Sequence, residues 1–158
     1  MSTITPCLWF DGRITEAAEF YVSQFPDSRI VGISHYPEGS PMPAGAEMTA
    51  DLVVAGLPLQ LLNGGPHFTP DEAFSLSVTV DGGQAEVDRL WDGLQAYGGS
   101  PSQCGWLKDR FGVSWQIVPV ELVRLQADPD PDVVARVMQV MLRMGKLIVA
   151  DLEAAARG

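Results

Sequence analysis

One design occurs twice in this chain. "ITPCLWFDG" (4–12) and "FSLSVTVDG" (74–82) each read as a strand that stops at Asp-Gly and opens an amphipathic helix. The first helix, about 14–25, puts Ala17, Phe20, Tyr21 and Phe25 on one face. The second, about 84–97, does the same with Val87, Leu90, Trp91 and Leu94. These are the i, i+3, i+4 spacings of a helix that buries one side. Short strands follow each helix. They lie at 29–36, 47–54 and 57–63 in the first copy, with Ala55-Gly56 as a tight hairpin turn. In the second they lie near 100–103, at 104–108 and at 113–119, with a turn at Asp109–Gly112. The pattern βαβββ, given twice, predicts an α+β fold.

Organisation follows from the repeat. Residues 1–63 form the first βαβββ module, 64–73 a linker, 74–119 the second module, and 120–158 a helical C-terminal extension, all within one compact domain. A chain of 158 residues can bury a proper core. Its net charge of −10 argues against a nucleic-acid partner, which needs a basic surface to displace counterions from phosphates. No apolar run approaches the roughly 20 residues that span a bilayer, so no membrane partner is expected. The start reads directly as a strand, without a secretory signal. Two cysteines, Cys7 and Cys104, form no disulfide framework or zinc spacing. Both are read as small buried hydrophobes in a reducing, cytoplasmic compartment.

Alternation sorts the strand faces. In 74–80, Phe74, Leu76, Val78 and Val80 face the helices, while Ser75, Ser77 and Thr79 face away. The shared Asp-Gly transfers that register to the first copy. Thr5, Cys7 and Trp9 then line the same kind of polar concavity. The last strand of each module carries one Gln among apolar neighbours, Gln60 and Gln116. The repeat therefore brings Thr5, Gln60, Ser75 and Gln116 together as a ligand pocket, with Cys7, Trp9 and Trp106 alongside. Trp9 and Trp106 serve either as core or as a stacking wall, and Trp115 belongs to the core. Lys108, Asp109 and Arg110 read as a solvated, salt-bridged hairpin tip. His67, in "NGGPHF", is the candidate general base; catalytic residues are otherwise unknown.

The ordered motifs "PCLWFDG…EAAEFYVSQFPDSRI", "LNGGPHF", "QCGWLKDRFGVSWQIVP" and "DPDPDVVARVMQVML" resemble the PhnB-like family, many of whose members carry the label 3-demethylubiquinone methyltransferase. That family lies in the vicinal oxygen chelate superfamily of glyoxalases, extradiol dioxygenases and bleomycin-resistance proteins. The resemblance implies a glyoxalase-like fold. Where superfamily members bind a divalent ion, the ligand positions fall here on Thr5, Gln60, Ser75 and Gln116. These are neutral donors with no charge to offset dehydration of a divalent cation, so metal is expected to be absent, and no cofactor is assigned. The resemblance would also place a helix-capping Asp where this chain has Ile148.

Three functions follow, in order. The first is a metal-free small-molecule-binding protein of the superfamily. The alternative is a superfamily enzyme, metal-dependent or metal-independent, acting on a small metabolite. A methyltransferase comes last, because no Gly-rich turn after a parallel strand offers a site for S-adenosylmethionine. A homodimer is also expected. A helix over 133–144 carries Val133, Val134, Val137, Met138, Val140, Met141, Leu142 and Met144 around most of its girth, with only Arg136, Gln139 and Arg143 as its polar side, and a single sheet surface would cover only one stripe of it.

Overall fold

The Asp-Gly repeat folds into two copies of the same unit in the computed structural model, which describes residues 2–158. Contacts divide the chain into two units at Pro70/Asp71, inside the 64–73 segment.

In the first unit, β1 (Cys7–Phe10) leads into α1 (Ile14–Gln24), then β2 (Arg29–His35), β3 (Glu47–Val54) and β4 (Leu57–Asn63). The sheet order is β1-β4-β3-β2, with β1 parallel to β4 and the other pairs antiparallel. Alternation places Leu8, Phe10, Leu52, Val54, Leu59 and Leu61 in the core with Ile14, Ala17 and Tyr21 of α1. The strand read over 4–12 shortens to four residues, and Thr5 lies exposed before it. The hairpin at Ala55-Gly56 is made with both residues at positive φ, 46° and 83°. The β2–β3 ladder shifts register twice, at Ile30/Gly32 and at Ser34/His35. The first shift leaves Val31 as an extra residue, so Ile30 and Ile33, three apart, are both partly covered while Val31 is 62% exposed.

The second unit repeats the plan with β5 (Ser75–Val80), α2 (Gly83–Gln95), β6 (Ser100–Pro101), β7 (Trp106–Lys108) and β8 (Ser114–Pro119), in the order β5-β8-β7-β6. Leu76, Val80, Leu107, Trp115 and Ile117 are buried with Val87, Leu90, Trp91 and Leu94 of α2. The expected strand over 104–108 starts two residues late. Cys104 and Gly105 form a turn at φ 58° and 82°, and a Cβ at position 105 would stand 2.8 Å from the Ile117 carbonyl oxygen. Position 105 therefore takes glycine on both counts. The cysteines are not the buried pair expected. Cys7 is exposed, because it sits on the polar face at the start of β1, and Cys104 is half-buried at its turn.

The C-terminal extension belongs to the second unit. It comprises α3 (Val120–Gln126), α4 (Pro131–Met141) and α5 (Val149–Arg157). α3 had no counterpart in the sequence reading. The apolar stripe of α4 does not lie on a sheet. Its Val133, Val137 and Met141 join Leu122 and Leu125 of α3 and Leu147 and Leu152 in a separate cluster. Asp130 caps α4 by accepting from the Asp132 amide at 2.9 Å, with Pro131 at the first helical position. Ile148 offers α5 no side-chain cap. Gln84 of α2 supplies one, its Oε1 accepting from the Val149 amide at 2.8 Å. At the other end the Arg136 guanidinium donates to the carbonyls of Ala155 and Ala156 at 3.0 and 2.9 Å. The Cys104 and Gly105 amides donate to the Met144 and Gly145 carbonyls, both at 2.8 Å, which ties the extension to the second sheet.

Candidate functional site

The face of the second sheet turned away from α2 is built by alternation. Ser75 and Ser77 stand on β5, Ser114 and Gln116 on β8, Trp106 and Lys108 on β7, and Ser100 on β6. Register fixes two rows across it. Ser77, Gln116 and Trp106 form one; Ser75, Ser114, Lys108 and Ser100 form the other. Gln116 Nε2 donates to Ser75 Oγ at 2.8 Å, which joins the rows. A cavity of about 220 Å³ opens here, lined by Trp106, Lys108, Ser100, Ser102, Ser114 and Glu72 among others. Lys108 Nζ lies 2.6 Å from Glu72 Oε1. That bond to Lys108 is the main cause that holds the Glu72 carboxyl below its ordinary range.

The corresponding face of the first sheet carries a row of Cys7, Gln60 and Asp51. Gln60 Nε2 donates to Asp51 Oδ1 at 2.9 Å. Although the residue is exposed, desolvation of its sulfur against the sheet, and then the Asp51 charge, raise the Cys7 thiol above its ordinary range. Each Gln is thus bonded inside its own module, Gln60 to a carboxylate and Gln116 to a hydroxyl. Trp9 is packed into its own corner of the first unit. Its Nε1 donates to the Gly65 carbonyl at 2.8 Å, and Phe68 meets it edge-on at 5.0 Å between centroids. A Cβ at Gly64 would stand 2.1 Å from the Trp9 ring, so "NGG" is small because the indole lies on it. Asn63 anchors the same corner, accepting from the Gly12 amide and donating to the Glu47 carbonyl, both at 2.9 Å.

The sequence candidates therefore divide between two faces. Ser75, Trp106 and Gln116 share the polar face of the second sheet, while Cys7 and Gln60 share that of the first. Thr5 precedes β1, and His67 is exposed in a turn. The "KDR" tip is not uniformly solvated. Asp109 is 3% exposed and organises its turn, accepting from the Phe111 and Val113 amides at 2.8 and 3.1 Å and from Trp115 Nε1 at 2.9 Å. Lys108 points to the pocket rather than to a hairpin tip. The residues missed on sequence were Lys108, Ser114, Glu72 and Asp51. The first two were within reach of the alternation rule, since Lys108 is two positions beyond Trp106 and Ser114 two before Gln116. Among the described residues, no three His, Cys, Asp or Glu side chains are placed to hold a metal ion.

The family model described as 3-demethylubiquinone-9 3-methyltransferase matches residues 2–118. A PhnB protein from Bacillus cereus that bears the same methyltransferase label is 33% identical, with a TM-score of 0.64 over 75% of this chain and 99% of its own. A protein from Pseudomonas aeruginosa is 29% identical, with a TM-score of 0.61 over 75% of this chain and 98% of its own. The fosfomycin resistance protein FosX from Listeria monocytogenes, solved with Mn(II) and a dihydroxypropylphosphonic acid, is 12% identical, with a TM-score of 0.53 over 75% of this chain and 92% of its own. FosX shares the fold. No curated protein matches the chain.

Proposed function

The chain belongs to the 3-demethylubiquinone-9 3-methyltransferase family, PhnB type, with the fold of the vicinal oxygen chelate superfamily, and from that premise we propose that it is a small-molecule-binding protein that works without a bound metal. The observation that carries this reading is the cavity on the polar face of the second sheet, with an aromatic wall, hydroxyls and one ammonium converging on it. Ser75 and Gln116 extend the same face, and Thr5, Cys7, Trp9 and Gln60 are the candidates from the first module.

The donors do not fit a divalent ion. Thr5, Gln60, Ser75 and Gln116 are neutral, and the two amides already have partners in Asp51 and Ser75. The methyltransferase label is a family name, and no residue of the second-sheet pocket is assigned to methyl transfer. We assign no catalytic residue; His67 is the one to vary should turnover be found. A native mass spectrum of the purified protein tests the reading, since it weighs metal, ligand and subunits together. We expect a small organic mass released on denaturation and weakened by Gln116→Leu. One equivalent of zinc, nickel or iron per chain, or stoichiometric S-adenosylmethionine, would overturn it.

We also infer a homodimer through the outer side of α4, in a reducing cytoplasm. Met138 and Leu142 are 37% and 55% exposed there, and Val123 of α3 is 46% exposed. Among the described residues no helix is long and apolar enough to cross a membrane.

A further inference from the structure

Building on the reading of this face as a ligand pocket, we propose that the pocket takes a small carboxylate and that Glu72 is its internal competitor. The polar row across the pocket floor is Ser100, Lys108, Ser114, one ammonium between two hydroxyls on three adjacent strands. Lys108 supplies the charge an oxyanion needs and the Ser100 hydroxyl a donor beside it, while the buried Ser114 hydroxyl is held against the Asp71 carbonyl at 3.4 Å. A carboxylate is already there, since Glu72 Oε1 sits 2.6 Å from Lys108 Nζ.

The two partners are not held alike. Lys108 is on a strand with its side chain 33% exposed, whereas Glu72 is in the turn before β5 with its side chain 66% exposed. An ion pair with one partner this solvated is weak and exchanges readily. Glu72 therefore covers the ammonium in the free protein and swings into water when another carboxylate arrives. The occupant is small, because about 220 Å³ lies below the roughly 300–1,000 Å³ of drug-sized sites. Trp106 lines the same cavity and offers a flat apolar surface, which suits a ring or short chain behind the carboxylate. The chain as a whole repels anions, with twenty acidic against ten basic residues. A dedicated cation is what lets one approach.

The test uses the full chain, with benzoate and its neutral analogue benzamide as probes. The readout is the Trp106 indole N–H signal, assigned by Trp106→Phe. Benzoate should move it in a saturable way. Glu72→Gln, which removes the competitor, should tighten benzoate about two- to fivefold, as expected for release of a weak exposed pair. Benzamide should be indifferent to that change. Lys108→Met should abolish benzoate binding, and Lys108→Arg, which keeps the charge and serves as the folding control, should retain it. If both probes move the signal equally and Glu72→Gln affects neither, the pocket stands and the carboxylate proposal falls. If neither probe moves it, the carboxylate proposal falls, and the native mass spectrum decides the binding reading separately. If benzoate binds but Glu72→Gln leaves its affinity unchanged, the competitor role is overturned.

Discussion

Asp109 shows how much one turn residue can hold. Its two oxygens accept from the Phe111 and Val113 amides and from the indole N–H of Trp115, itself 2% exposed. Asp109→Ala orphans all three, and each buried donor left unsatisfied costs about 1–3 kcal/mol before relaxation. We expect a loss of about 3 kcal/mol in urea unfolding, with Asp109→Asn milder because one oxygen remains. Gly64 is the second such residue. A methyl there collides with the Trp9 ring, so Gly64→Ala should lift the indole off Gly65, cost about 1–3 kcal/mol and red-shift the tryptophan fluorescence. An unchanged spectrum would show that the corner can relax. Neither role was legible in the sequence. "KDRFG" reads as a charged tip, since nothing in strand periodicity says that a turn carboxylate folds back onto an indole six residues later. The Gln and Ser positions were legible, because a lone amide in an apolar strand marks which face is wet.

α5 depends on side chains from other elements at both ends. Gln84→Ala removes the acceptor for the Val149 amide and the donor to the Leu147 carbonyl, and should cost about 1–2 kcal/mol. Hydrogen exchange should quicken over 147–152 and stay unchanged in α1. The same corner has a pH signature. Lys146, and then Gln84, hold the Asp88 carboxyl below its ordinary value of 3.8, while Asp88 raises Lys146. Folding thus favours ionised Asp88. Its contribution is fully present above that ordinary value and is lost as pH falls through the depressed one. A carboxyl titration followed by NMR should find the Asp88 midpoint below 3.8, moving upward in Lys146→Met; a midpoint that stays put would contradict the tie. The helices of the two modules could be read from their stripes, and so could α4 from "DPDPD". α3 could not, because "VELVRLQ" is two turns long and continues directly from a strand of similar composition. The cap on α5 is not legible in the sequence, because its donor and acceptor are 65 residues apart.

For the molecule, the repeat carried most of the information. Two Asp-Gly turns set the phase of both first strands, and the pairing of Cys7 with Gln60 and of Ser77 with Gln116 keeps that phase. The extension follows no repeat, so nothing in the sequence says that α3 and α5, rather than a sheet surface, cover the inner stripe of α4. Its uncovered residues bear on the proposed association. An apolar contact between two chains of charge −10 works against their repulsion. Raising salt screens that repulsion and leaves the apolar term intact, so the dimer should tighten with ionic strength in sedimentation experiments. Leu142→Glu should yield monomers at micromolar concentration. Dimers that persist in Leu142→Glu would place the interface elsewhere.

The extra residue at Val31 has a consequence for crowded solutions. β2 is an end strand, seven residues long, and an end strand of that length with an even ladder is a template on which a neighbouring chain can add its own. Val31 breaks the ladder after two residues, and Met48 on β3 restores the count only near the far end. The outward-facing amides and carbonyls of β2 therefore never present one regular row. Deleting Val31 would straighten the strand and bring Ile30 and Gly32 into simple succession. The variant should fold and then form thioflavin-positive aggregates on concentration, where the parent chain stays clear.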